Sequence, residues 1–278
     1  MSTFPPPVSA GLADRAWHWT LWAFCALVLG FLVLPILIIV PLSFSSGTFL
    51  TFPLPGLSLR WYQEFFTSAP WRLSLRNSLI VASATTLIAT VLGTLAALGL
   101  TRARLPGQTL LLGLIVSPMV VPLVIVAVGV YFAYAPFGLT GSLLGLTLAH
   151  TALAVPFVVI TVSATLQGFD PNQARAGASL GASPTVVFLR IVLPLILPGV
   201  VSGALFAFVT SFDEVVVALF VTGPGERTLP RQMFNGIREN ISPVIAAAAS
   251  LLILLSVLLL SVLELLRRRN ERLRGIRV

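Results

Sequence analysis

DPNQARAGASLGASPTVVFLRIVLPLILP, residues 170–198, is the stretch whose reading decides the fold. It separates two long apolar spans, and only its first half is poor in apolar residues. Asp170 suits an N-cap, and Pro171 suits the first helical turn because its missing N–H would be unpaired there. Gly181 can take the left-handed conformation that ends a helix. Ser183 and Pro184 repeat the cap-plus-proline start, so a second short helix runs from there towards Pro194. On the first helix Ala174, Gly177, Ala178 and Gly181 fall at i, i+3, i+4 and i+7, giving a face almost without side chains. Such a face lets another backbone come close. Local physics leaves two readings open: an ordinary loop between helices, or a docking surface.

Composition narrows the class. The chain has 278 residues, 57% hydrophobic and 9% charged, whereas soluble domains carry roughly 25% charged residues. Lipid is therefore its main solvent. The net charge of +8 comes from arginine alone, because the chain has no lysine. These arginines flank apolar spans, which fits anionic lipid headgroups rather than nucleic acid. The single cysteine, Cys25, lies inside an apolar span and allows no internal disulfide. A Pro-rich tail, 1–16, precedes a first span too long for a signal peptide, which reads as a retained anchor.

Spans are expected at about 17–42, 77–101, 108–133, 142–166, 195–221 and 243–266, each long enough to cross the hydrocarbon core. A short amphipathic helix fits residues 59–66. Ala89, Gly93, Ala97 and Thr101 form one stripe of small residues; Gly199, Gly203, Ala207 and Ser211 form another. The expected organisation is a 1–16 cytoplasmic tail, a 17–266 transmembrane domain containing the 168–194 loop, and a basic 267–278 tail. Six spans put both termini on one side. That side, with loops 102–107 and 167–194, carries eleven arginines (15, 102, 104, 175, 190, 267, 268, 269, 272, 274 and 277). The other carries six (60, 72, 76, 227, 231 and 238). The positive-inside rule places the termini and the 168–194 loop in the cytoplasm.

The 170–198 stretch resembles the EAA loop of inner-membrane permease subunits of binding-protein-dependent ABC importers. That pattern is Glu-Ala-Ala, three residues, Gly, nine residues, then Ile-x-Leu-Pro. Gly181 stands as the central glycine, and Ile191, Val192, Leu193 and Pro194 follow at the required spacing. The Glu-Ala-Ala slot reads Arg175, Ala176, Gly177, a cation where the family has a carboxylate. WYQEFF, NSLIVASATTLIATVLGTLAALGLTR and SFDEVVVALFVTGPGERTLPRQMFNGIRENISPVIAAAASLL resemble the second permease subunit of spermidine/putrescine importers.

The resemblance implies an all-α membrane protein of six transmembrane helices with the type I ABC importer permease (MetI-like) fold and a cytoplasmic coupling-helix loop. Arg175, Ala176, Gly177, Gly181, Ala182, Ser183, Pro184, Ile191, Leu193 and Pro194 would then couple the chain to an ATPase. Implied partners are a second permease subunit in a heterodimer, two ATP-binding subunits, a periplasmic or lipid-anchored solute-binding protein, and membrane lipids. No nucleic acid is implied. The implied place is the bacterial cytoplasmic (inner) membrane. Relatives with this pattern also move ferric iron, 4-aminobutyrate or opines, so the solute stays open among these and polyamines.

Chemistry of the chain's own is scarce. A P-loop requires lysine, so ATP and Mg would be bound by partner subunits and no cofactor by this chain. Two histidines and one cysteine make no metal cluster and no nucleophile–base pair. His150, inside a span, reads as a structural hydrogen bond to a neighbouring helix. Asp213 and Glu214 are the sharpest local signal. In a helix starting at Leu195 they lie roughly 27 Å along it, near the outer mouth. With Ser211 they are candidates for a solute path or gate; the alternative is an interfacial carboxylate paired with an outer-loop arginine such as Arg231. A self-sufficient secondary transporter and a membrane scaffold are the competing classes. The first is disfavoured by few intramembrane charges and no evident inverted repeat.

Overall fold

The computed structural model describes residues 11–102, 106–239 and 241–273, all of whose long elements are helices. Two compact units divide the chain: Met1–Phe65 with Ile241–Ile253, and Phe66–Asn240 with Leu254–Val278.

In the first unit, α1 (Leu12–Leu42) is apolar on every side and keeps its side chains exposed, as lipid or a partner helix allows. It begins five residues before the expected span, after Gly11. The amphipathic α2 (Arg60–Thr67) forms where sequence places it. Trp61 donates its indole N–H to the Ser45 carbonyl at 2.8 Å, and Ser43 and Tyr62 share a hydrogen bond of 2.7 Å. Residues 43–59 are thereby folded back onto α2.

In the second unit, α3 (Ala69–Arg102), α6 (Leu143–Gln167) and α9 (Leu193–Phe212) pack on one another. The two small-residue stripes are their contact faces, except for Thr101, which is exposed and donates its hydroxyl back to Ala97 of its own helix. A Cβ on Gly93 would lie 2.6 Å from Val158 Cβ, and one on Gly203 would lie 3.0 Å from Val158 Cα. Val158 of α6 thus fills the gap between one glycine on each of the other two helices, which also touch each other directly. Close backbone approach of this kind replaces the hydrophobic drive that lipid does not supply. Gly93→Leu is expected to cost at least the 1–3 kcal/mol typical of overpacking, about 2 kcal/mol or more. A lowered unfolding temperature of the purified complex would show it; an unchanged one would mean α3 and α6 can separate freely.

Two expected spans are broken. Residues 108–133 form α4 (Gln108–Val120) and α5 (Leu123–Tyr134), bent by 107°. Pro122 excludes its predecessor from the helical region, and Val121 is extended at φ −71°, ψ 134°. Among the described residues five other helices are long and apolar enough by themselves, and counting this pair as one span gives six. Residues 195–221 likewise split into α9 and α10 (Val216–Val221). Here the Glu214 carboxylate takes the N–H groups of Val217 (2.7 Å) and Ala218 (3.0 Å), which a continuous helix would give to backbone carbonyls. The β-branched run Val215–Val217 also lowers helix propensity. Asp213 therefore caps α9 instead of lying inside a helix.

The polar stretch forms α7 (Pro171–Ser179) and α8 (Pro184–Val187), and α8 runs through a π-turn at Phe188–Val192 into α9. The wider turn accommodates Pro194, whose ring would crowd the Arg190 carbonyl and which has no N–H to give it. α11 (Leu229–Glu239) is amphipathic and is followed by α12 (Pro243–Leu273). The C-terminal tail expected from 267 is helical as far as Leu273, since Leu, Glu and Arg are strong helix formers. Residues 1–10, 274–278 and Arg104 of the 102–107 loop lie outside the described residues.

Candidate functional site

The two breaks line one cavity of about 660 Å³. Pro118, Met119, Val120, Val121, Pro122 and Leu123 come from the α4–α5 bend. Leu153 and Phe157 come from α6, and Val209, Thr210, Asp213 and Glu214 from the end of α9. Irregular backbone at membrane depth is tolerated where it is buried in protein or lines a cavity, because lipid cannot satisfy it. The wall is apolar apart from Thr210 and the two acids.

The acids have different surroundings. Asp213 is exposed, whereas Glu214 is 6% exposed and His150 fully buried. His150 Nε2 lies 3.1 Å from Glu214 Oε2, and Nδ1 lies 2.9 Å from Ser211 Oγ. A carboxylate only accepts, so Nε2 is the donor to Glu214, while Nδ1 and the Ser211 hydroxyl share a hydrogen bond that either atom can donate. With the N–H groups of Val217 and Ala218, three donors converge on Glu214. The expected structural role of His150 fits: it ties α6 to the α9–α10 break. Ser211 and Glu214, read from sequence as path residues, are engaged in this tie, while Asp213 is left open. Arg231 does not pair with Asp213; its Nη1 donates to the Thr222 carbonyl at 2.6 Å and the Gly223 carbonyl at 3.0 Å, and also to the Thr222 hydroxyl.

The loop expected to couple is built as its punctuation indicates. Asp170 Oδ1 accepts from the Asn172 N–H at 2.9 Å, and Gly181 has φ +85°. The bare face is divided, however. Gly177 is buried against Ile191 and Val187, and Ala174 and Ala182 pack on the α6–α9 core. Ile191 and Leu193 join that packing. These residues fasten the loop to its own chain. Arg175, Ala176, Ala178, Gly181, Ser183, Pro184 and Pro194 face outward. Arg175 Nη1 donates to Asn172 Oδ1 at 3.2 Å on that surface. Between them stands Leu180, 89% exposed, which sequence reasoning passed over. Its signal was a single large apolar residue in the polar run ARAGASLG.

Sequence also missed a clamp beside α11. Asn77 Nδ2 donates to the carbonyls of Gly225 and Arg227, each at 3.1 Å, and Ser78 Oγ accepts the Leu229 N–H at 2.7 Å. The start of α3 thereby holds the 225–229 segment. Ser78→Ala leaves a buried donor unpaired and is expected to speed amide exchange at Leu229 by about tenfold. Unaltered exchange would mean that the segment is held by other contacts.

The binding-protein-dependent transport system inner membrane component family matches residues 89–272. The chain is 33% identical over 249 residues to the spermidine/putrescine transport system permease protein PotC of Haemophilus influenzae, covering 90% of this chain and 96% of that one. It is 34% identical over 241 residues to the putrescine transport system permease protein PotI of Escherichia coli, covering 84% and 85%. In structure it is similar to a chain of a bacterial ABC transporter that imports the acidic polysaccharide alginate, with TM-score 0.72, 14% identity and coverage of 92% and 98%. A helical bundle with two broken spans, a punctuated polar loop between them and this breadth of similarity lead to one assignment: the chain belongs to the binding-protein-dependent transport system inner membrane components, as a multi-pass, non-catalytic permease subunit of an ABC importer.

Proposed function

We propose that this chain forms one half of the translocation path for polyamines of the spermidine/putrescine kind. A solute-binding protein, periplasmic or lipid-anchored, delivers the cation, and two ATP-binding subunits drive the cycle. A second permease subunit forms the other half. The observation that carries the reading is Asp213, an exposed carboxylate on a largely apolar wall where two spans break. A polyamine pairs ammonium groups with methylene chain, and this wall offers a partner for each. At 4 Å and an effective dielectric of 20, typical near a protein surface, the attraction is about 4 kcal/mol before desolvation. The names of the two permease relatives point to the same solutes.

The work enters elsewhere. Closure of the ATP-binding subunits moves α7 and α8, with Leu180, Arg175 and Gly181 on the docking surface. Gly177, Ile191 and Leu193 pass the movement to α9, whose far end carries Asp213. The chain thus rocks as packed rods with hinges at the breaks. The termini and this loop lie in the cytoplasm, supported by the arginine count. The test is ATP-driven uptake by the reconstituted four-subunit assembly with its binding protein. Saturable uptake of labelled spermidine or putrescine is expected. Uptake of ferric ion or 4-aminobutyrate instead, with neither polyamine competing, would replace the solute; uptake without ATP-binding subunits would remove the mechanism.

A further inference from the structure

The cavity holds two neighbouring acids, yet the structure spends them differently. Glu214 has both oxygens committed: Oε1 to the Val217 N–H, Oε2 to the Ala218 N–H and to His150 Nε2. His150 is fully buried between α6 and α9, and Ser211 holds its other nitrogen. Three donors already occupy most of the roughly four acceptor sites of this buried carboxylate, which leaves Glu214 little to offer a ligand. Asp213 lies one residue earlier, beyond the last turn of α9. Its backbone N–H bonds to Val209, and its side chain is exposed at the cavity. Around it stand Val209, Val121, Leu123, Leu153 and Phe157, which suit methylenes and offer no second charge.

We infer that this cavity reads one ammonium group at a time: Asp213 is the exposed carboxylate open to direct contact, and His150 and Glu214, buried in their own hydrogen bonds, are positioning residues that fix the α9–α10 break beside it. This rests on the reading of the cavity as part of the path. The second ammonium of a diamine is therefore not recognised by this wall. It faces open space or the partner permease, and discrimination between mono- and diamines falls to other parts of the assembly.

The test uses a thiol reporter in the full transporter. Thr210→Cys is placed in a Cys25→Ser background, and n-butylamine and putrescine are compared as protectants against a neutral thiol reagent. Both amines are expected to protect with half-maximal concentrations within about threefold of each other, because each offers the same single contact. n-Butanol should not protect. Asp213→Asn should abolish protection by both amines; Glu214→Gln, which sets an amide N–H against one of the buried donors, weakens both amines alike, so the ratio of their midpoints should stay within about threefold. Protection by putrescine at a concentration about tenfold or more lower, with that advantage lost in Glu214→Gln, would overturn the inference, since a second carboxylate would then be reading a second ammonium. Absence of protection by either amine would overturn it as well. The comparison of the two amines needs neither acid altered, so it stands even if an acid variant fails to assemble. Uptake separates this inference from the function it rests on: a transporter that carries no polyamine refutes the function, whereas one that carries them with a two-carboxylate signature refutes only the inference.

Discussion

Asp213→Asn is expected to lower ATP-driven polyamine uptake by about tenfold or more while leaving assembly of the transporter intact. The size follows from electrostatics: a contact worth even about 1.4 kcal/mol in the rate-limiting state accounts for a factor of ten. Intact assembly follows from geometry. Asparagine is nearly isosteric, and the Asp213 bond that caps α9 comes from its backbone N–H. The informative pair is uptake rate against solute concentration and basal ATP hydrolysis. A lost uptake rate with preserved basal hydrolysis places the defect in the path. Unchanged uptake kinetics would return Asp213 to the role of an interfacial charge and leave the cavity without its function.

Leu180→Asp is expected to abolish uptake by a different route. Leu180 is 89% exposed, the most exposed large apolar side chain among the described residues of the loop, where Val186 and Leu189 are exposed to 40% and 53%. Burying such a side chain against a partner contributes about 1.5–3 kcal/mol, and an unpaired carboxylate in the same place costs further. Retention of the ATP-binding subunits on this chain should fall by about tenfold or more, while the membrane-embedded fold is unaffected. Gly181→Leu makes a useful companion. No described atom lies within 4 Å of a Cβ at Gly181, so bulk meets no obstacle within the chain. The φ of +85°, however, costs a leucine roughly 1–2 kcal/mol and tilts the end of α7. That variant should keep its ATP-binding subunits better than Leu180→Asp but hydrolyse ATP with little uptake. Full retention and full uptake in Leu180→Asp would mean that the ATP-binding subunits do not dock at the end of α7.

The loop was the most legible part because its signals are local. Asp170-Pro171, Gly181 and Ser183-Pro184 act through backbone geometry that each residue dictates for itself, and α7 and α8 begin where these residues place them. The small-residue stripes were legible as contact faces, because a helix repeats its surface every turn. Their partners were not legible, since nothing in GxxxG-type spacing names Val158 as the residue lying between Gly93 and Gly203. The breaks were missed for a related reason. Hydropathy averages over a span's length, and the chain remains apolar straight through Val121-Pro122 and through Val215–Val217. Proline within a membrane helix is often tolerated with a mild bend, so Val121-Pro122 did not by itself announce the 107° turn seen here.

By itself the sequence determined that this chain lives in lipid, crosses it several times, binds no nucleotide through a P-loop, and carries one polar, glycine-jointed loop. Composition and backbone preference are properties of the chain alone. Tertiary structure decided which of two adjacent acids is free. Asp213 and Glu214 are indistinguishable in a linear reading, and only the approach of α6, bringing His150 to within 3.1 Å of Glu214, engages one carboxylate while the other stays exposed at the cavity.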